Sequence, residues 1–264
     1  MSTEPETSLG ETENGQGCMV GSAPGGRRFR GVRKVRLGDV DRGGRLRLDA
    51  LTRYTQDVSD DDTTAAGLSP EPGWVVRSTV VEELVPAVLA ETLDVLTFCS
   101  RTGGRWAERR LSITGDQGAR YEVATLWVCI DATSGRPVRL TEQFHELYGE
   151  AAAGRSVSAR LQNPRPADVV DRSIVDAVWP LRAADYDIYD HVNNANYWAV
   201  VEEWLEDPAP PRRIRMEYGA GVAPGHEVTV ARTEGTGDQV LWWLDGGDRD
   251  AVPLASAAVE SLTV

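Results

Sequence analysis

Residues 185–203 read Asp185-Tyr186-Asp187-Ile188-Tyr189-Asp190-His191-Val192-Asn193-Asn194-Ala195-Asn196-Tyr197-Trp198-Ala199-Val200-Val201-Glu202-Glu203, and the fold turns on how they are read. The acids at 185 and 187 stand two apart, so in an extended segment they share one side. His191 and the amides Asn193 and Asn194 suit a loop entering a helix, because an Asn side chain accepts from the first free backbone N–H groups. Beyond them Tyr197, Val200, Val201 and Trp204–Leu205 recur at spacings of three and four, which predicts an amphipathic helix. Unpaired N–H groups and the helix dipole at such an N-terminus favour developing negative charge. That is the chemistry of a carbonyl turning into an oxyanion. Taken singly each residue has a plainer reading, a capping Asn or a surface His among acids. Their combination in one loop is what points to a site.

A similar pattern occurs earlier in the chain. At a fixed offset of 146 residues, Arg36 falls on Arg182, Asp39 on Asp185, Asp41 on Asp187, Asp57 on Glu203 and Asp60 on Glu206. The first copy also enters a helix, Leu48 to Val58, with Leu51, Tyr54, Thr55 and Val58 as its inward stripe. Before it, Val32, Val35 and Leu37 suggest a strand. After it come strand-like runs at Trp74–Leu84, Leu93–Ser100, Trp106–Thr114 and Tyr121–Asp131, with turns at Gly103-Gly104 and Asp116-Gln117-Gly118. After the second helix come Ile214–Tyr218, Glu227–Arg232, Val240–Leu244 and Leu254–Val264, with turns at Gly235-Thr236-Gly237 and Gly246-Gly247. Each half is therefore a strand, one helix and an antiparallel meander able to wrap around it, an α+β unit repeated in tandem. Thr141–Gly154 reads as a helix, and Arg155–Asp171, with Pro164 and Pro166, as an irregular connector. The expected organisation is a disordered tail over 1–26, a first unit over 27–140, a helix and linker over 141–175 and a second unit over 176–264.

Composition narrows the function. The chain has 264 residues and a net charge of −13, which argues against bulk nucleic-acid binding. Positive charge is uneven: one cluster runs from Arg27 to Arg47 and a shorter one comprises Arg212, Arg213 and Arg215. They read either as solvated strand faces or as a dock for an acidic macromolecule. The three cysteines, at 18, 99 and 129, have no metal-ligand or redox spacing, which fits a reduced, cytoplasmic protein with core cysteines. No apolar run reaches the roughly 18–20 residues of a membrane helix. There is no phosphate loop, nucleotide fingerprint or metal-ligand cluster, and no cofactor is expected. His145 and His226 lack catalytic neighbours and read as structural.

From about residue 29 to 264 the chain resembles the plant-type acyl-acyl-carrier-protein (acyl-ACP) thioesterases, which are two hotdog domains in tandem. The stretches that carry the resemblance are "GWVVRSTVVEELVPA" (73–87), "RWAERRLSI" (105–113), "ATLWVCIDATSGRPVRLTEQF" (124–144), "DYDIYDHVNNANYW" (185–198) with "EEW" (202–204), and "RIRMEYG" (213–219). The resemblance implies two antiparallel sheets, each wrapped around one central helix, and release of a fatty acid from acyl-ACP. It implies acyl carrier protein as partner, no membrane and no nucleic acid, and is compatible with a homodimer. The HVNN segment is shared with single-domain acyl-CoA thioesterases, so acyl-CoA is the alternative substrate. A non-catalytic acyl-binding or regulatory hotdog is the alternative from another class.

The family reads Asp-x-Asn-x-His-Val-Asn-Asn, which places its acid at Asp187 and its imidazole at His191, with Tyr189 where the family has Asn. A Glu-Cys pair that follows further on falls here on Gly221 and Val222, counted from Glu217-Tyr218. The candidate catalytic residues are Asp187, His191 and Asn193, with Tyr189, Asn194 and Glu203 supporting the substrate or the oxyanion. An imidazole, titrating near ~6.5 in water, suits proton transfer at neutral pH. Backbone N–H groups near Asn193–Asn194 would hold the oxyanion. Burial and pairing is the other reading of Glu203 and Asp57. In the family the first hotdog shapes the acyl tunnel, so Trp74, Trp106 and Trp127 are either tunnel walls or core packing.

Overall fold

The computed structural model describes residues 19–69, 71–169, 173–204, 211–235 and 238–262. Most of the expected tail (1–18, with Cys18), the connector's Asp171, Leu205, Thr236-Gly237 and the last two residues lie outside these. The tail ends before 26. Val20 O accepts from Arg110 Nη1 at 3.2 Å, and Gly26, at φ +86°, lies so close to Ala151 that a Cβ would meet its backbone nitrogen at 2.3 Å.

Ten strands form one antiparallel sheet. In the first half they are β1 (Arg28–Lys34), β2 (Gly73–Val85), β3 (Thr92–Thr102), β4 (Trp106–Gly115) and β5 (Arg120–Ile130). In the second they are β6 (Ile174–Val178), β7 (Arg212–Tyr218), β8 (Val228–Thr233), β9 (Gln239–Asp245) and β10 (Ala255–Ser261). The order is β1-β3-β4-β5-β2-β7-β10-β9-β8-β6, so from the β2–β7 seam outward both halves repeat one topology. The strands expected from sequence are found, with ends shifted by one to three residues. Leu37 is the exception: it sits exposed in a 3-10 turn, Leu37–Asp39, after β1 has ended.

Helix α1 (Leu48–Ala65) runs about two turns beyond Val58, and α3 (Asn196–Trp204) is its counterpart. Leu51, Thr55 and Val58 face inward, while Tyr54 is half-buried with its hydroxyl donating to Asp39 Oδ2 at 2.5 Å. α2 (Glu142–Ala152) is capped by Thr141, whose hydroxyl accepts from Phe144 N at 3.1 Å. One hydrophobic core runs through both halves, joining Leu51, Val81 and Tyr121 to Tyr197, Trp198 and Trp243. Each half is thus a hotdog, a sheet wrapped on one central helix, and the two share one sheet and one core. Cys99 and Cys129 are buried in a separate, smaller cluster with Leu140, Phe144 and Tyr148.

The seam carries charge. Arg212 is directly opposite Glu83 and bonded to it at 2.6 Å, both buried, and Arg213 is opposite and bonded to Glu82. Away from the seam, α1 and α3 pack together. The residue before α1, Arg47, offers no side-chain cap, and Glu202 of α3 takes that place, its Oε2 accepting from Leu48 N at 3.1 Å. Burial pushes the Glu202 carboxyl up to about 7, against the opposing pull of the Leu48 N–H and of Arg212. A folded value above the unfolded one means that this stability is full below about 4.5 and lost as pH rises through about 7. Glu202→Gln, which keeps an acceptor for Leu48 N–H, should flatten the fall in urea midpoint across that window and equal or exceed wild type at pH 8. An unchanged pH slope would remove Glu202 as its source.

Candidate active site

The candidate loop is built by hydrogen bonds that the first half repeats at the same offset. A 3-10 turn, Ala183–Asp185, begins at Arg182, whose N–H donates to Asp185 Oδ2 at 2.7 Å; in the first half Arg36 N–H donates to Asp39 Oδ2 at 3.0 Å. Asp187 N–H donates to His191 O at 2.8 Å, as Asp41 N–H does to Arg45 O. Asn193 N–H donates to Asp185 O at 2.8 Å, as Arg47 N–H does to Asp39 O at 2.9 Å. Asp190 takes a left-handed φ of 56° where the first copy has Gly44 at 80°. The offset read from a few residues is therefore a duplicated loop.

The copies part at their side chains. In the first, Arg45 pairs with Asp41 at 3.2 Å. In the second the equivalent position is His191, exposed and with no hydrogen-bond partner for its ring among the described residues. Asp187 Oδ1 accepts from Tyr189 N at 2.9 Å and not from His191. The two side chains expected to act together share one turn without bonding to each other.

Asn193 is committed to structure: its Oδ1 accepts from Ala195 N at 2.9 Å and its own N–H goes to Asp185 O. Asn194 O accepts from the Tyr218 hydroxyl at 3.0 Å, and that hydroxyl accepts from Trp198 Nε1 at 3.0 Å. Asn194 N–H is left without an acceptor among the described residues, at the entry to α3. Glu203 is exposed, so its expected burial is corrected. With Tyr197, Trp198, Val200 and Val201 turned inward, the phase of α3 leaves Glu202 half-buried in its place. Asp57 is likewise exposed, and the buried acids of α1 are Asp49 and Asp62.

Gly221 lies against the imidazole. A Cβ there would meet His191 Cδ2 at 2.7 Å and Nε2 at 3.0 Å, so the missing side chain is the room the ring occupies. Only the close approach reveals this; the sequence showed merely a departure.

A cavity of about 600 Å³ opens in the first half between α1, the sheet and α2. The lining comes from the first half, with Phe144 and Tyr148 from α2, and from the second half Tyr189 of the candidate loop, exposed at the rim. Trp74 and Trp127 line the cavity; Trp106 does not, its indole donating to Val157 O at 2.7 Å. Both arginine clusters, read from sequence as either solvated strand faces or docks, are largely paired within the chain. Arg212 and Arg213 hold the seam, and Arg27, Arg33, Arg45 and Arg47 pair with Asp62, Asp61, Asp41 and Asp49. Among the described residues no three metal-ligating side chains come together.

Two hotdogs joined edge to edge, with a polar loop of one half at the mouth of a cavity in the other, define a thioester-hydrolysing tandem hotdog. Residues 26–148 match the acyl-ACP thioesterase N-terminal domain and residues 171–245 the C-terminal domain, and the chain belongs to the acyl-ACP thioesterase family. It is 30% identical over 198 residues to an uncharacterized protein of Mycobacterium tuberculosis, covering 73% of this chain and 77% of that one. In fold it is similar to an acyl-ACP thioesterase from Bacteroides thetaiotaomicron (TM-score 0.69, 14% identity, 88% of this chain and 97% of that one). It is similar also to the 12:0-ACP thioesterase from Umbellularia californica (TM-score 0.68, 19% identity, 88% and 96%). Its reaction is the hydrolysis of acyl-ACP, an enzymatic thioester cleavage.

Asp187→Asn or His191→Ala should lower kcat by at least ~10²-fold, the scale of acid–base assistance, without loss of fold. Gly221→Ala should displace the imidazole and lower kcat by about tenfold while KM holds, since the ring and not the cavity is disturbed. Steady-state kinetics with circular dichroism separates these from unfolding. Wild-type turnover in any variant removes that residue from the mechanism.

Proposed function

We propose that Asp187 and His191 activate water against the thioester of an acyl-ACP whose acyl group lies in the first-half cavity. The observation that carries this reading is Tyr189: its N–H holds the Asp187 carboxylate and its side chain stands on the cavity rim. A thioester carbonyl at the mouth is then within one loop of both groups. His191, oriented with Asp187, takes a proton as the water oxygen attacks the carbonyl carbon. The tetrahedral oxyanion is held by the free Asn194 N–H at the entry to α3, where the dipole adds to it. As the intermediate collapses the C–S bond breaks, the pantetheine sulfur takes the proton from His191, and the fatty acid leaves. Tyr189 supplies a hydroxyl donor where the family has an amide, and cannot offer both amide functions. Asn193 shapes the loop, and Glu203 on the outer face of α3 is left without a part.

In this reading residues 27–140 house the acyl group, 141–175 close the back of that unit and lead across, and 176–264 carry the chemistry. The carrier is the acidic acyl carrier protein, and two copies of the chain in a homodimer are compatible with it. Acyl-CoA remains the competing substrate, because the HVNN loop serves both carriers.

Purified protein should release thiol from acyl-ACP with kcat/KM at least tenfold above that for the matching acyl-CoA. Tyr189→Asn should preserve or raise turnover by restoring the family's amide. Inertness of both wild type and Tyr189→Asn toward every acyl-ACP and acyl-CoA in a chain-length ladder would overturn the hydrolase reading in favour of a binding protein.

A further inference from the structure

We propose that the acyl group this cavity selects carries neutral oxygen substituents, hydroxyl or keto, along its chain, rather than being a plain hydrocarbon. The proposal rests on the placement of the acyl group just given. Its ground is the polarity of the cavity wall.

α1 contributes Gln56, Ser59, Asp60, Thr63 and Thr64. These are positions i, i+3, i+4, i+7 and i+8, one continuous face of the helix, and none is a hydrocarbon side chain. The apolar face of α1, with Leu51 and Val58, turns to the core instead. Ser59 and Thr63 donate to backbone carbonyls of their own helix and keep lone pairs free. The Gln56 amide, half-buried, has no side-chain partner among the described residues.

The opposite wall is rich in donors. Arg109 is buried in β4, and its guanidinium donates only through Nη1, to Asp62 Oδ2 at 2.5 Å and to Thr97 Oγ1 at 3.4 Å. Nε and Nη2 have no protein acceptor among the described residues. The guanidinium carbon lies 5.2 Å from the centroid of Tyr148, and the Tyr148 hydroxyl, fully buried, has no hydrogen-bond partner. Neither has Nε1 of Trp127. A saturated chain would leave Nε and Nη2 of Arg109 and the Gln56 amide unpaired in a site from which it had driven the water, an unfavourable arrangement. An oxygen on the chain would accept from them.

The charge balance specifies which oxygen. Asp62 answers two guanidinia, Arg27 and Arg109, while Asp60 and Glu108 add carboxylates elsewhere on the wall. A terminal carboxylate would face those acids, whereas a neutral hydroxyl or keto group meets donors and acceptors without repulsion. Trp74 and Phe144, ring centroids 5.4 Å apart, supply the apolar surface for the methylenes between.

The test compares decanoyl-pantetheine with its 5-, 7- and 9-hydroxy and oxo analogues, as substrates and as non-hydrolysable thioethers in calorimetry. At least one oxygenated substrate should show kcat/KM tenfold or more above decanoyl, and its thioether should bind correspondingly tighter. Tyr148→Phe removes only an unpaired hydroxyl and Gln56→Leu only a free amide, so both should fold, as thermal melting would show. Each should reduce the oxygenated-to-plain ratio at least fivefold. Decanoyl hydrolysed as well as or better than every analogue, or a ratio unmoved in both variants, overturns the proposal and leaves the hydrolase reading intact. If no thioester is hydrolysed, that reading falls and the thioethers decide: tighter binding of an oxygenated one supports the proposal, and equal or weaker binding ends it.

Discussion

The pairing of β2 with β7 is the constraint on which the rest of the molecule depends. It turns two half-sheets into one, sets α1 beside α3, and brings the loop of the second half to the cavity of the first. Its register is fixed by charge as well as by backbone bonds. Glu83 and Arg212 are both buried and directly opposed, and a slip of one residue would part them and leave each charge without its partner. The same arginine helps to offset the half-buried Glu202 that caps α1. One seam therefore organises the sheet, the helix pair and the approach of the loop to the cavity.

The two halves carry two copies of one loop, and their side chains differ in how far the acid is tied up. In the first copy Asp41 is saturated, accepting from Gly43 N, Arg45 N and the Arg45 guanidinium. In the second the acid is held by one N–H of Tyr189, and His191 stands free where Arg45 stood. A carboxylate already bound to a guanidinium has little to offer a water molecule. The difference is not in the backbone, which is the same bond for bond.

Much of this was legible in the sequence because the repeat and the helix periodicities are local. The 146-residue offset between Asp41 and Asp187 showed the tandem layout, and alternating apolar residues between glycine turns showed the strands. What was not legible depended on contacts distant in sequence. Glu202 and Glu203 are adjacent acids, and only the packing of α3 on α1 decides which is half-buried. The arginine clusters read either as solvated faces or as docks because their acids lie elsewhere: Glu83 is 129 residues from Arg212, and Asp62 is 35 from Arg27. That the polar face of α1 lines a cavity depends on the sheet and α2 packed over it.

Gly221 ties the departures from the family's pattern together. The family carries a side chain at this position, and here the His191 ring lies where its Cβ would be. With the ring placed as it is, both cannot be accommodated, and the imidazole is seated against the Gly221 backbone. The Cδ2–Nε2 side of the ring lies against Gly221, and the residue is otherwise exposed. Its orientation is then set by close packing where the family has additional polar partners. Packing forces fall off within a fraction of an ångström, more steeply than a hydrogen bond, so such a ring holds its place only while the glycine stays a glycine. The site has given up polar partners and gained a steric constraint in return.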